Sequence, residues 1–165
     1  MALRQIRIQG DPVLEKVCKE INEVTPRVQE LIDDMIETMY AANGVGLAAP
    51  QVGILKRLVV IDVTGDNPYV IINPKLLEAD GEQTGYEGCL SLPGKSGIVT
   101  RPNHVKIVYQ DENMKTQELE GTELLARAII HEMEHLDGHM YTEKVEGDLV
   151  NNDELMAADT DDDEE

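Results

Sequence analysis

An α+β fold is the class this sequence predicts. Two amphipathic helical stretches, near residues 26–40 and 122–136, bracket a middle rich in β-branched residues. The linkers between the strand-like runs are short, which favours antiparallel pairing.

The first helix is announced by Thr25-Pro26, an N-cap followed by proline in the first helical position. Val28, Leu31, Ile32, Met35, Ile36, Met39 and Tyr40 then recur at three- and four-residue spacing, so one face is expected to be buried, and Asn43-Gly44 supplies the stop. Leu58 to Val63 reads as a strand, and Tyr69 to Ile72 as another, closed by Asn73-Pro74. Val105 to Tyr109 alternates, and Asp111-Glu112-Asn113 turns it back into Thr116 to Leu119. The second helix starts near Thr122, carries Leu124, Leu125, Ala128, Ile129, His131 and His135, and stops at Gly138. Residues 1–150 are read as a single catalytic domain and residues 151–165 as an acidic, frayed tail.

Bulk composition narrows the function. With 41% of residues hydrophobic, five Tyr and no Phe or Trp, the core is expected to be built from Leu, Ile, Val and Met, and a base-stacking surface is not expected. Acids outnumber bases 33 to 14, a net charge of −19; residues 153–165 hold eight of the acids and no base, leaving −11 on the rest. That field repels nucleic acid and anionic lipid and serves solubility. Met1 to Gly10 alternates charged and apolar residues, unlike an export or transit signal, and no run approaches the ~18 apolar residues of a membrane helix. Cys18 and Cys89 lie far apart in such a chain, where a disulfide is not expected. A cytoplasmic protein with no membrane contact, a monomer, is the expectation.

The chemistry concentrates on the second helix. His131-Glu132-Met133-Glu134-His135 is an H-E-x-x-H segment, whose two imidazoles project from one helical face ~6 Å apart along the axis. That spacing suits two ligands of one tetrahedral ion, with Glu132 on the adjacent flank as general base rather than ligand. A third ligand is needed. The metzincin pattern would place a histidine at position 141, but Tyr141 stands there, and His139 follows Gly138 too closely. The remaining soft donors are His104, Cys18 and Cys89. Cys18 reads as a small buried hydrophobe, and His104, beside Pro102-Asn103 at a strand start, as an exposed turn residue. Cys89, in Glu87-Gly88-Cys89-Leu90-Ser91, is better explained as a thiolate ligand than as a nucleophile. Gly44-Val45-Gly46-Leu47-Ala48-Ala49-Pro50-Gln51 matches a dinucleotide fingerprint on paper, but it follows a helix and runs into proline, which rejects that reading. As a loop it can present backbone to a peptide, and Gln51 offers a donor to an oxyanion.

Taken together, Gly44–Gln51, Glu87–Ser91 and His131–His135 resemble peptide deformylase in order and spacing, over roughly residues 3–142. The resemblance implies antiparallel β-sheets around a central metal-binding helix, to which the periodicity above adds a long N-terminal amphipathic helix. It implies removal of the formyl group from the N-terminal methionine of nascent polypeptides. Cys89, His131 and His135 would hold the ion, Glu132 would move the proton, and the metal, Gln51 and the Leu90 N–H would hold the oxyanion. Val45, Gly46 and Gly88 would pair with the substrate backbone, and Leu124, Arg127, Ala128 and His131 would line the methionine pocket. Ligand chemistry alone suits zinc; ferrous iron is what the resemblance adds, with zinc, nickel or cobalt as substitutes. It also implies an ion pair between Arg101 and Glu134, where the family usually has aspartate. Ile130 replaces a usual glutamine. The acidic end does not favour ribosome contact. The rival readings are an H-E-x-x-H peptidase, which lacks its downstream ligand here, and a non-catalytic metal-binding homologue, which would not need Glu132 and Gln51.

Overall fold

The computed structural model describes residues 2–154; the acidic run from 155 to 165 lies outside the described residues. In chain order the elements are α1 (Pro26–Ala41), β1 (Gly46–Ala48), β2 (Leu58–Ile61), β3 (Tyr69–Asp80), β4 (Gln83–Cys89), β5 (Leu92–Arg101), β6 (His104–Gln110), β7 (Thr116–Thr122), α2 (Glu123–Leu136) and β8 (Glu146–Asn151). One sheet has the order β1-β2-β3-β6-β7 and a second the order β4-β5-β8; the strand pairings in both are antiparallel. No helix among the described residues is long and apolar enough to cross a membrane.

The larger sheet is apolar on both faces because a helix covers each. All four residues of β2 are buried. Leu58 and Val60 join Val28, Leu31, Ile32, Met35 and Met39 of α1. Val59 and Ile61 point the other way, into a cluster with Ala126, Ala128, Ile129 and Leu136 of α2. Alternation along one strand thus feeds two cores. The Thr25 hydroxyl caps α1 by accepting from the Val28 N–H at 3.2 Å, as its sequence predicts. Ile36 packs at the edge of that core, while Tyr40 is partly exposed and its hydroxyl donates to the Asp62 carboxylate.

Three local expectations need correction. Asn73-Pro74 does not end a strand: β3 continues through it to Asp80, with an irregularity in its pairing to β6. Asn73 takes a positive φ of 51° there, and its carboxamide receives the Ile21 N–H at 2.9 Å while donating to the Ile21 carbonyl at 2.7 Å. The side chain supplies the bonds that the bulged backbone gives up. Segment Gly44–Gln51 is not all loop, since β1 pairs with β2 and a 3-10 turn, Ala49–Val52, follows. His104 stands at the start of β6, as its place after Pro102-Asn103 predicts, but it is half-buried between the Asp80 and Glu120 carboxylates and not an exposed turn residue.

Gly138 stops α2 as expected, with φ at +83°. The reason is close approach as well as conformation: a Cβ there would lie 2.6 Å from the Glu15 carbonyl oxygen. This pins the N-terminal segment to the end of α2, where the Cys18 N–H donates to the Leu136 carbonyl at 2.9 Å. Gly138→Ala should therefore destabilise the protein by about 2–3 kcal/mol, a left-handed residue plus a backbone clash. Thermal unfolding checks this; an unchanged midpoint would contradict it.

Candidate metal centre

One strand and one helix bring the chemistry together. Cys89 ends β4, and His131 and His135 lie one turn apart on α2. Their rings are 5.1 Å apart between centroids and nearly perpendicular. The Cys89 Sγ is 3.3 Å from the His135 Nε2. One donor atom from each of the three residues lies within 4.8 Å of the others. Donors bonded at ~2.0–2.3 Å to one tetrahedral ion lie roughly 3.3–3.6 Å apart, which falls inside that bound.

The surroundings fit that use. The Glu87 carboxylate accepts from the His131 Nδ1 at 2.6 Å. A carboxylate only accepts, so Nδ1 carries the proton and Nε2 is left to face the other donors. Glu87 itself is buried and held by the Arg101 Nε and NH2 at 3.1 and 2.6 Å and by the Arg127 NH1 at 2.9 Å. Burial would raise its pKa, but His131 and Arg101 outweigh that and hold it at about 2. The Tyr141 ring, 1% exposed, stacks on His131 with centroids 5.8 Å apart.

Glu132 is buried beside the three donors, and its Oε1 has no partner among the described residues. Burial pushes its pKa up to about 7, where a carboxyl exchanges protons near neutral pH. Its other oxygen occupies the space where a Cβ on Gly46 would be, so glycine is required there for close approach. The neighbouring Gly44 does the same for Leu90, whose Cδ1 would lie 2.7 Å from an added Cβ.

Gln51 comes from the 3-10 turn and is 1% exposed. Its Oε1 accepts from the Ala48 N–H at 2.9 Å, which fixes which way the amide faces. Its Nε2 then donates to the Ser91 Oγ at 3.1 Å and points at the Cys89 Sγ at 3.5 Å. A groove of about 560 Å³ opens over these groups; Val45, Gly46, Gly88, Leu90, Leu124, Arg127 and Ala128 line it beside Cys89, His131 and Glu132.

Every sequence-predicted site residue is therefore in the groove or packed against Cys89. Cys18 is not: it is buried in the core between the sheet and α2. His104 forms a separate surface cluster with Glu78 and Glu120. The Arg101–Glu134 pair forms at 2.6 Å, with Arg101 1% exposed. Sequence reasoning missed Glu87 and Tyr141. Glu87 stands two residues before Cys89 in the same motif, but nothing local marked its carboxylate as the partner of His131. For Tyr141, only its place at the position of a metzincin ligand gave a hint.

Comparison with known proteins comes to the same point. A sequence profile described as polypeptide deformylase matches residues 3–149. A peptide deformylase of Agathobacter rectalis is 69% identical over 149 residues, covering 90% of this chain and 94% of the relative. One from Lachnoclostridium phytofermentans is 63% identical over 151 residues, covering 90% and 93%. Among solved structures, a peptide deformylase from Thermotoga maritima superposes with a TM-score of 0.85 at 39% identity, over 88% of this chain and 99% of that one. One from Synechococcus elongatus, in complex with actinonin, gives 0.83 at 44% identity, over 86% and 78%.

Proposed function

The chain belongs to the polypeptide deformylase family, hydrolases that remove the N-formyl group from nascent polypeptides, and we propose that Cys89, His131 and His135 hold its metal ion while Glu132 moves the protons. The observation that carries this assignment is the convergence of three donor atoms within 4.8 Å next to a buried carboxylate oxygen that has no partner among the described residues. A divalent ion held there would supply a Lewis acid, polarising the formyl carbonyl and making water more acidic.

The rest is the work of the chain. Glu132 takes a proton from the attacking water through Oε1 and returns it to the leaving amine. The Gln51 amide and the Leu90 N–H steady the charge that develops on the formyl oxygen, and Gln51 arrives already oriented by Ala48. Val45, Gly46 and Gly88 pair with the substrate backbone as an added strand would. Leu124, Ala128 and Arg127, its charge matched by Glu87, enclose the methionine side chain together with His131.

Ferrous iron is the proposed native ion, with zinc, nickel or cobalt able to replace it. Thiolate and ferrous iron are both oxidisable, so iron-loaded activity should fade in air and persist after cobalt or nickel substitution. Air-stable activity from protein containing only iron would contradict that choice. The proposed setting is the cytoplasm, as a monomer, with residues 1–150 as the catalytic domain, 151–165 as an acidic tail, and no reliance on ribosome docking.

The test of the assignment is anaerobically reconstituted protein given formyl-Met-Ala-Ser and, separately, an unformylated casein digest. Formate release from the first with no cleavage of the second is expected. New amino termini from the casein peptides would favour a peptidase; neither activity, a non-catalytic homologue.

A further inference from the structure

From Ala2 to Ile8 the chain forms neither helix nor strand, and most of this stretch is exposed. Its N–H groups nonetheless reach fixed partners. Those of Ala2 and Arg4 donate to the Asp34 Oδ1 and the Thr38 Oγ1, two buried side chains one turn apart on α1, at 2.7 and 2.9 Å. The Arg7 N–H donates to the Gln51 carbonyl at 2.6 Å, and the Gln9 N–H to the Ser91 carbonyl at 2.8 Å. Ile6, just before Arg7, lines the groove. Residues two apart in extended chain direct their N–H groups to the same side, so one short strap grips both Gln51 and Ser91.

Those two residues are also joined through their side chains. Ser91 is fully buried, and its Oγ accepts from the Gln51 Nε2 at 3.1 Å. The same nitrogen lies 3.5 Å from the Cys89 Sγ, on the side of the three converging donors. The Gln51 amide is thus held at its oxygen by Ala48 and at its nitrogen by Ser91. Where that nitrogen stands depends on the distance between the Gln51 backbone and the Ser91 hydroxyl. Neither residue lies in a strand, so no sheet ladder sets that distance. The strap bonds to the backbone of both.

We propose that Arg7 and Gln9 are positioning residues, whose backbone N–H groups hold the Gln51 amide where charge develops on the formyl oxygen. This rests on the assignment of Gln51 to that oxygen. Misplacing a group by ~1 Å costs on the order of 10²-fold in rate, close to the ~10²–10³-fold lost with a whole oxyanion donor. The contribution is made in the transition state, so it belongs in kcat and not in KM. It comes from N–H groups that every residue except proline carries, so it leaves no pattern in the sequence.

Gln9→Pro removes one of the two donors at a place where proline fits. The Asp11 N–H donates to the Ile8 carbonyl at 3.0 Å and Gly10 has a φ of +106°, a turn whose second residue favours proline. The ring also takes the place of the N–H that meets the Ser91 carbonyl and pushes that carbonyl away. On formyl-Met-Ala-Ser, Gln9→Pro should lower kcat by about 10–100-fold with KM within about twofold. Gln9→Ala keeps the N–H and should restore kcat to within about twofold of native. Arg7→Pro removes the other donor and should give the same pattern, which covers a failure of Gln9→Pro to fold. After cobalt substitution, the thiolate charge-transfer band of each proline variant should match the native one. In a Gln51→Ala chain, which has no amide to place, Gln9→Pro should cost no more than about threefold further. Equal losses in the two backgrounds overturn the proposal, as do native kcat in the proline variants, an equal loss in Gln9→Ala, or loss of the cobalt band. Gln51→Ala alone separates this from the oxyanion assignment. Native kcat there removes that assignment, whatever the strap does.

Discussion

Glu132→Gln should bind metal as the native chain does and lose ~10²–10⁴-fold in turnover, while Cys89→Ala should lose both. The two residues sit on different sides of the same division of labour. Cys89 is one of three converging donors, and removing it leaves two imidazoles that cannot close a tetrahedral site. Glu132 is not one of the three converging donors, yet it is buried with an oxygen that has no partner among the described residues. Glutamine fits the same space beside Gly46 but cannot accept that proton. Metal analysis after dialysis, alongside kcat on formyl-Met-Ala-Ser, reads the two effects separately. Equal metal loss in both variants would make Glu132 a ligand and remove the general-base role.

The second large effect is expected at Arg101. Its guanidinium is 1% exposed and joins two carboxylates, with Glu87 held through two nitrogens and Glu134 through the third at 2.6 Å. Arg101→Ala should cost ~3–5 kcal/mol, because it strands buried charge. Glu134→Ala should cost less, about 1–2 kcal/mol, since Glu134 is 15% exposed in its side chain and Arg101 keeps Glu87. The double variant should then show coupling of about 1–3 kcal/mol in thermal or urea unfolding. Arg101 also steadies the carboxylate that orients His131, so Arg101→Ala should weaken metal binding ~10–100-fold. A coupling indistinguishable from zero would mean that the pair does not tie α2 to β5.

The helices and the His131–His135 pair were legible because each is written in local spacing, whereas Cys89, 42 residues earlier, was reached only by elimination among the soft donors and by the resemblance of Glu87–Ser91. Thr25-Pro26 and the apolar spacing of α1 depend only on neighbours in sequence, as does the four-residue separation of His131 and His135. The loop glycines were legible as a pattern but not as a cause. Nothing local says that Gly46 makes room for a carboxylate arriving from α2, eighty-odd residues later in the chain. Glu87 shows the same limit from the other side. A glutamate in a strand reads as a solvated charge until Arg101, Arg127 and His131 close around it, and those come from two other elements. At Asn73-Pro74 local turn chemistry was real but lost to the sheet, since the carboxamide let β3 bulge and continue. Strand β8 escaped notice because its sequence, Glu146 to Asn151, has no apolar alternation; it exists by pairing with the edge of β5.

The ligand set is the central claim, and cobalt reports on it directly. Metal-free protein titrated with Co²⁺ under nitrogen should develop, at one equivalent, the visible bands of a tetrahedral ion and a near-ultraviolet thiolate-to-cobalt charge-transfer band. Cys89→Ser should lose that charge-transfer band, whereas Cys18→Ser should keep it, since Cys18 lies in the core away from the two histidines. A charge-transfer band that survives in Cys89→Ser would contradict the assignment of Cys89, His131 and His135 as the metal centre.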